Sequence, residues 1–252
     1  MKLYLRIGML LVMLSVLFVS CTKESDPTYD VGLVPAVVTN YMNDTTHIMV
    51  ASTSYGKLYA TTFSSYSAGK CLLVDFSYQP KQYGNSKVGE NGYYTVSVVG
   101  TTAVDQYSAL SSLSDTTKLL SNELPVVAPV YSGYAHYFTC LEGFLFFPSV
   151  YLTTLAQTSS WQLSYSTTAK NESVGSVYNF YLRSSASAAP DSAATDTLLL
   201  DVNAFNINGF ITKAGITADE FYARIHYVYR INASDSSDFT WRETDPILIK
   251  RR

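Results

Sequence analysis

The sequence predicts an all-β fold with only minor α content. Three observations point there. Val, Thr, Tyr and Phe recur along the chain, with 21 Tyr and 12 Phe, and these side chains favour the pleated, half-buried surface of a sheet. Charged residues make up only 15% of the chain, and no block rich in Ala, Leu, Glu and Lys offers a helix. Several stretches alternate apolar and polar residues with period 2, the pattern of strands with one buried face.

The first element in chain order is not part of that fold. Lys2 and Arg6 flank the start of an almost wholly apolar run over residues 7–19, and the small Ser20 precedes Cys21. A basic start, an apolar centre and a small residue at the cut mark a secretory signal. The run is well short of the roughly 20 residues that span a bilayer. Residues 1–20 are therefore expected to be a signal peptide and residues 21–32 a lipidated tether. The run Leu17-Phe-Val-Ser-Cys21 resembles the lipobox of bacterial lipoproteins, with Phe18 standing where a small or aliphatic residue is usual. That resemblance implies cleavage before Cys21 and acylation of its thiol and new α-amine. Each buried methylene contributes about 0.8 kcal/mol, and one chain alone anchors only marginally, which is why several are used. An ordinary cleaved signal with an incidental Cys21 is the alternative. Thr22-Lys-Glu-Ser-Asp26 resembles the surface-export tag of Bacteroidetes lipoproteins, its acids interrupted by Ser25; a short solvated tether accounts for it equally. The expected location is the outer membrane, lipid-anchored, on the periplasmic or cell-surface face.

Residues 34–42 read as the first strand and Asn43-Asp44 as a turn. Residues 46–51 and 57–63 follow as strands, joined through Ser54-Tyr-Gly56. Residues 71–78 form an apolar-rich strand ahead of Pro80. Asn91-Gly92 is a hairpin dipeptide, and residues 93–104 read as one long strand. Residues 105–122 lose the alternation and fit a short helix or an irregular connection. Pro125 and Pro129 make the next segment an extended crossing. A boundary here divides the mature body into a first β domain over 33–125 and a second over 126–252.

The second half opens at residues 131–137 and continues in a dense apolar block containing Phe144-Leu-Phe-Phe147. Pro148 within it marks an edge or a bulge. Trp161, Leu163 and Tyr165 alternate with polar residues, as do Tyr178, Phe180 and Leu182. Residues 184–195 are small and polar and read as a loop. Leu198, Leu200 and Val202 share one face of the next strand, and residues 206–209 form a turn. Thr217-Ala-Asp-Glu220 has the spacing of a capping box and predicts one or two helical turns. The clearest strand follows: Phe221, Ala223, Ile225, Tyr227, Tyr229 and Ile231 on one face, Arg224, His226 and Arg230 on the other. Residues 247–249 form the last strand.

Composition excludes several functions. Without residues 1–20 the chain keeps 15 of its 17 basic residues and all 20 acidic ones, a net charge of about −5. That lacks the basic footprint of a nucleic-acid binder, so no nucleic-acid partner is expected. His47, His136 and His226 form no metal-spaced pair, and Cys140 has no second pair to complete a site. No GxSxG elbow and no Gly-rich phosphate loop occurs; the scattered carboxylates cannot be paired from sequence, so a glycosidase dyad is neither shown nor excluded. The chain is not expected to be an enzyme or to carry a cofactor or metal.

Four groups of residues are candidates for other roles. Cys71 and Cys140 form a disulfide in an exported protein, or are two buried thiols acting as small hydrophobes. The stripe Arg224, His226 and Arg230 is an anion or acidic-sugar contact, or the solvent face of a strand whose arginines blunt edge pairing. The tyrosines stack on sugar rings or fill the core. Thr45, Thr116, Ser192 and Thr197 each follow an Asp in triplets that resemble the Bacteroidetes O-glycosylation sequon.

The run Asn179-Phe-Tyr-Leu-Arg-Ser184 lies ahead of Asp196-Thr-Leu-Leu-Leu. With the lipoprotein start and the strand-rich first half, it resembles the NigD-like lipoproteins of Bacteroidetes. The resemblance implies an N-terminal OB-like barrel followed by a C-terminal antiparallel β-sandwich, an envelope protein linked to bacteriocins or immunity, and no catalytic residues. The expected function is that of a non-enzymatic cell-envelope lipoprotein, a binding or interaction module held to the membrane by acyl chains on Cys21, with a protein or glycan partner. One alternative is a glycan-binding surface lipoprotein of a polysaccharide-uptake system. Another is a fimbrial subunit precursor, which needs a cut after an exposed Lys or Arg early in the chain; Lys57 is the only one between Glu24 and Lys70.

Overall fold

The computed structural model describes residues 26–42, 47–82, 84–113, 115–154, 157–187, 197–232 and 235–252. The strands of the first half are β1 (Tyr29–Met42), β2 (His47–Thr53), β3 (Gly56–Tyr59), β4 (Cys71–Tyr78), β5 (Tyr94–Thr95) and β6 (Ser97–Ala103). Those of the second half are β7 (Asp105–Ser108), β8 (Glu123–Leu124), β9 (Val126–Ala128), β10 (Cys140–Leu141), β11 (Phe144–Thr153), β12 (Ser159–Tyr165), β13 (Lys170–Glu172), β14 (Gly175–Ala186), β15 (Thr197–Asn206), β16 (Glu220–Asn232), β17 (Asp235–Glu243) and β18 (Ile247–Lys250). Two short helices, α1 (Val88–Asn91) and α2 (Asn208–Lys213), complete the regular elements together with brief 3-10 turns.

The first six strands run β5-β3-β2-β1-β4-β6. β1 is long enough to pair with β2 on one side and β4 on the other, and it bends at a bulge between Val31 and Val34. A bulge sharpens local twist, which a small barrel needs. β5 pairs in parallel with β3 and β6 antiparallel with β4. Only Val96 separates β5 from β6, and its N–H donates to Tyr59 O at 3.0 Å. One passage of chain thus joins both edges, and the sheet curls into an OB-like barrel. Val34, Ala36 and Val38 of β1 point inward onto Ala51, Leu58, Leu72, Val74 and Phe76.

Three local expectations differ here. The strand foreseen over 57–63 ends at Tyr59, and a 3-10 turn at Thr61–Ser65 drops Phe63 fully buried into the barrel. Burying that ring outweighs continuing an edge strand. Asn91-Gly92 closes no hairpin: Gly92, at φ +75°, is the left-handed cap that ends α1, and its N–H donates to Val88 O at 2.8 Å. The strand foreseen over 93–104 is interrupted at Val96, where the chain changes partner.

Beyond Val104 the strands pair with the second half. β7 joins β15 and β8 joins β14, so the partner changes well ahead of residue 125. One sheet runs β10-β11-β15-β7, with β9 also on β11; the other runs β12-β14-β16-β17, with β8, β13 and β18 added. The two pack as a sandwich over Leu145, Phe147, Trp161, Phe180, Phe205 and Ile225. Two of its pairs, β7–β15 and β14–β16, are parallel, so the sandwich is mixed where an antiparallel one was expected. The reason is connectivity: α2 and its flanks carry the chain across between the end of β15 and β16. Pro148 sits inside β11, opposite Val202, in the gap between the stretches paired with β10 and β9. A missing N–H is tolerated there.

Two further corrections concern the last third. Residues 217–220 form no helix; Glu220 already begins β16, and the helix is α2, starting where a turn was expected. In β16 the alternation holds through Phe221, Ala223, Ile225 and Tyr227, then breaks at a bulge between Val228 and Arg230. Val228 is buried in place of Tyr229.

The two domains meet through their outer faces. Val37, Cys71, Leu73 and Val104 pack on Leu141, Phe146 and Ala204. Ser52 Oγ donates to Glu142 Oε1 at 2.7 Å, and Arg252 Nη1 to Ser54 O at 2.5 Å.

Candidate binding face

The predicted cationic stripe is present but largely occupied from within. Arg224 forks onto Glu172, with Nη1 and Nη2 donating at 2.8 and 2.9 Å, and its Nε donates to Thr244 O at 3.3 Å. The guanidinium holds the Glu172 carboxyl below the usual carboxylate range. His226 Nε2 hydrogen-bonds with Asn179 Oδ1 at 3.1 Å, Nδ1 lies 3.3 Å from Glu243 Oε2, and the ring stacks on Tyr181 at 4.6 Å. Burial holds the imidazole below its ordinary value, outweighing the opposing pull of Glu243; Arg224 adds to the lowering. Arg230 is exposed and lies beyond the bulge, out of step with the other two. The stripe is a braced sheet surface with one open cation.

Cys71 and Cys140 are buried free thiols, not a disulfide. Burial pushes both up to about 12, which makes them unreactive packing residues. Thr116 is exposed, and its carbonyl accepts from Trp241 Nε1 at 3.2 Å. Thr197 opens β15 opposite Thr153. Cys21, Thr45 and Ser192 lie outside the described residues. Among the described residues no three His, Cys, Asp or Glu side chains come together as a metal site, and no helix is long and apolar enough to cross a membrane.

Sequence reasoning missed a group of aromatics on the outer face of the barrel. The register places Tyr41 of β1 opposite Ile48, on the face opposite the inward-pointing Val38. Tyr59 follows the inward Leu58 and so points outward. Tyr93 enters from the loop before β5 and packs at 5.5 Å from both Tyr41 and Tyr59. Lys57 Nζ lies 5.1 Å from the centroid of the Tyr41 ring. Tyr41 Oη donates to Asn91 O at 2.6 Å, fixing the ring against the end of α1. Beside these rings a groove of about 490 Å³ runs past Asn40, His47, Thr61 and Ser64. The arrangement offers half-buried ring faces, one cation and amide and hydroxyl groups, the means of holding a ligand by stacking and hydrogen bonding. The available signal was the odd positions of β1, which the inward-facing alternation leaves outside.

Residues 28–102, within the barrel, match the family described as lipoprotein OB domain. Over 86% of its length the chain shares its fold with an uncharacterized protein from Parabacteroides merdae: TM-score 0.68, 17% identity, and 97% of that chain covered. A candidate lipoprotein from Bacteroides fragilis overlaps at TM-score 0.57 with 12% identity, over 89% and 98%. A NigD-like immunity protein from Bacteroides caccae overlaps at 0.43 with 11% identity, over 87% and 92%, too distant a likeness to say more about this chain. No curated protein matches it in sequence.

Proposed function

We propose that the protein is a non-enzymatic, lipid-anchored envelope protein that binds a glycan on the outer face of its OB barrel. The observation that carries this reading is the Tyr41–Tyr59–Tyr93 group with Lys57 beside it. In OB barrels the face of the second and third strands, flanked by the loop between the fourth and fifth, is where oligosaccharides and oligonucleotides bind. The net negative charge of the mature chain argues against the nucleic acid. Sugar rings present apolar faces that stack on tyrosine while their hydroxyls meet amides. The lipoprotein OB match supports an anchored envelope protein; acylation at Cys21 and outer-membrane placement belong to the proposal. The test is a glycan array with the mature chain, followed by Tyr59→Ala and Tyr41→Phe on any hit. Loss of binding in Tyr59→Ala with an unchanged melting curve supports the reading; no hit, or a hit indifferent to both substitutions, sinks it.

A second reading, a protein partner such as a bacteriocin, draws on a different surface. Leu198 and Leu200 stand on the outer face of β15, 58% and 36% exposed, and Tyr134 is also exposed. An apolar strip of that kind suits a protein interface. The fimbrial reading has less support: β1, which precedes the cut at Lys57, is paired on both sides within the barrel.

A further inference from the structure

We infer that the tyrosine rim at the tether end of the barrel is a membrane-contact surface that seats in the lipid headgroup layer. The inference rests on the reading that Cys21 carries acyl chains. Tyr29 stacks on Tyr78 at 5.5 Å, Tyr78 meets Tyr94 edge-on at 6.0 Å, and Tyr55 meets Phe76 edge-on at 6.3 Å. Tyr55, Tyr78 and Tyr94 rim an apolar pocket of about 120 Å³ that opens from the barrel core, with Phe76 beneath. Tyr55 is 58% exposed and Tyr29 49%. This rim is separate from the Tyr41 face.

The place where the chain enters decides the partner. Asp26 is held at this end by Lys81 at 3.4 Å, and Thr28 Oγ1 accepts from Gln79 Nε2 at 3.0 Å. Cys21 precedes Asp26 by five residues, a reach of at most about 17 Å when extended. Acyl chains on Cys21 therefore keep the rim beside the bilayer at an effective concentration of order millimolar. At that concentration a weak intrinsic preference suffices. Tyrosine has it: the ring is apolar, the tip is polar, and the side chain concentrates where hydrocarbon meets water. The barrel then sits tether-end down.

The test uses the full chain, made with its signal in a host that acylates lipoproteins and reconstituted in phosphatidylcholine vesicles with brominated acyl chains. Tyr55→Trp reports the rim and Tyr131→Trp reports the second domain, each corrected for Trp161 and Trp241. Quenching of the Tyr55→Trp signal about threefold stronger than that of Tyr131→Trp is expected for a residue seated in the interface, and Tyr29→Ser should weaken it. Floating protein with equal or absent quenching at both positions overturns the inference while leaving the anchor intact, and points to a protein side chain as the pocket's occupant. Protein that does not float overturns the anchor reading, and the inference with it.

Discussion

Arg183 on β14 forks onto Glu123 of β8, sixty residues earlier, with both side chains almost wholly buried. Nε donates to Oε1 at 2.7 Å, Nη2 bonds Oε2, and Nη1 and Nη2 also donate to the carbonyls of Asp115 and Lys118 at 2.9 and 2.8 Å. The backbone N–H of Leu120 donates to the same carboxylate at 2.7 Å. One pair thus satisfies the irregular segment between β7 and β8 and ties it to the sandwich. Removing one member of a buried pair leaves a charge without a partner and costs about 3–5 kcal/mol. Arg183→Met should lose that much in urea unfolding, and Arg183→Lys should not rescue it, because ammonium lacks the fork. The double variant Arg183→Met/Glu123→Leu should recover a large part. A double variant that loses the sum of the two single losses would show the pair to be incidental.

Gly92 ties backbone geometry to the proposed binding face. Its φ of +75° suits glycine, and a Cβ there would clash with Tyr41 Oη. Gly92→Ala should cost about 1–3 kcal/mol through strain and push the Tyr41 ring off Asn91. Glycan affinity is expected to fall together with stability, whereas Gly89→Ala, which meets nothing within 4 Å, should change neither. Circular dichroism melts with a binding titration separate the two.

The Ser52–Glu142 hydrogen bond couples the domains. Glu142 sits at φ +49°, a left-handed conformation costly for a side chain, and its N–H donates to Arg252 O at 2.9 Å. A double-mutant cycle with Ser52→Ala and Glu142→Ala should give a coupling of about 1–2 kcal/mol, since the bond involves a carboxylate. A coupling near zero would mean that the apolar patch around Phe146 alone sets the interface.

The sheets were legible where one face is buried and the other is wet. The period-2 run from Phe221 to Tyr227 and the pairs around Trp161 and Phe180 declare their faces in the sequence. What alternation cannot reveal is a change of partner. Val96 interrupts an otherwise continuous strand because the barrel must close there, a requirement of the whole sheet. The bulge after Val228 is likewise set by β17, and the parallel pairing of β14 with β16 by the crossover through α2. Arg183 looked like a surface residue in a motif, since nothing local announces Glu123 as its partner. The tyrosine face was hidden for a related reason: Tyr41, Tyr59 and Tyr93 come from three separate segments, and only the barrel brings them together.

His226 should make stability depend on pH in a defined window. Burial depresses its folded-state value, so the imidazole stays neutral in the fold while the unfolded chain binds a proton near its ordinary 6.5. Between those values the unfolded state holds more protons, and stability rises with pH. The contribution is therefore full above about pH 7 and is lost as pH falls below 6.5, at no more than about 1.4 kcal/mol per pH unit for one group. Glu172 acts in the same direction but lower: its depressed carboxyl contributes above its ordinary 4.5 and fades as pH falls through the folded value. The two windows separate. Urea midpoints at pH 7.5, 6.5 and 5.5 should fall for the native chain and stay flatter for His226→Gln, which keeps a polar group opposite Asn179 without a titrating ring. If both lose stability equally over that range, another group carries the dependence, and the packing of His226 against Tyr181 has no electrostatic consequence.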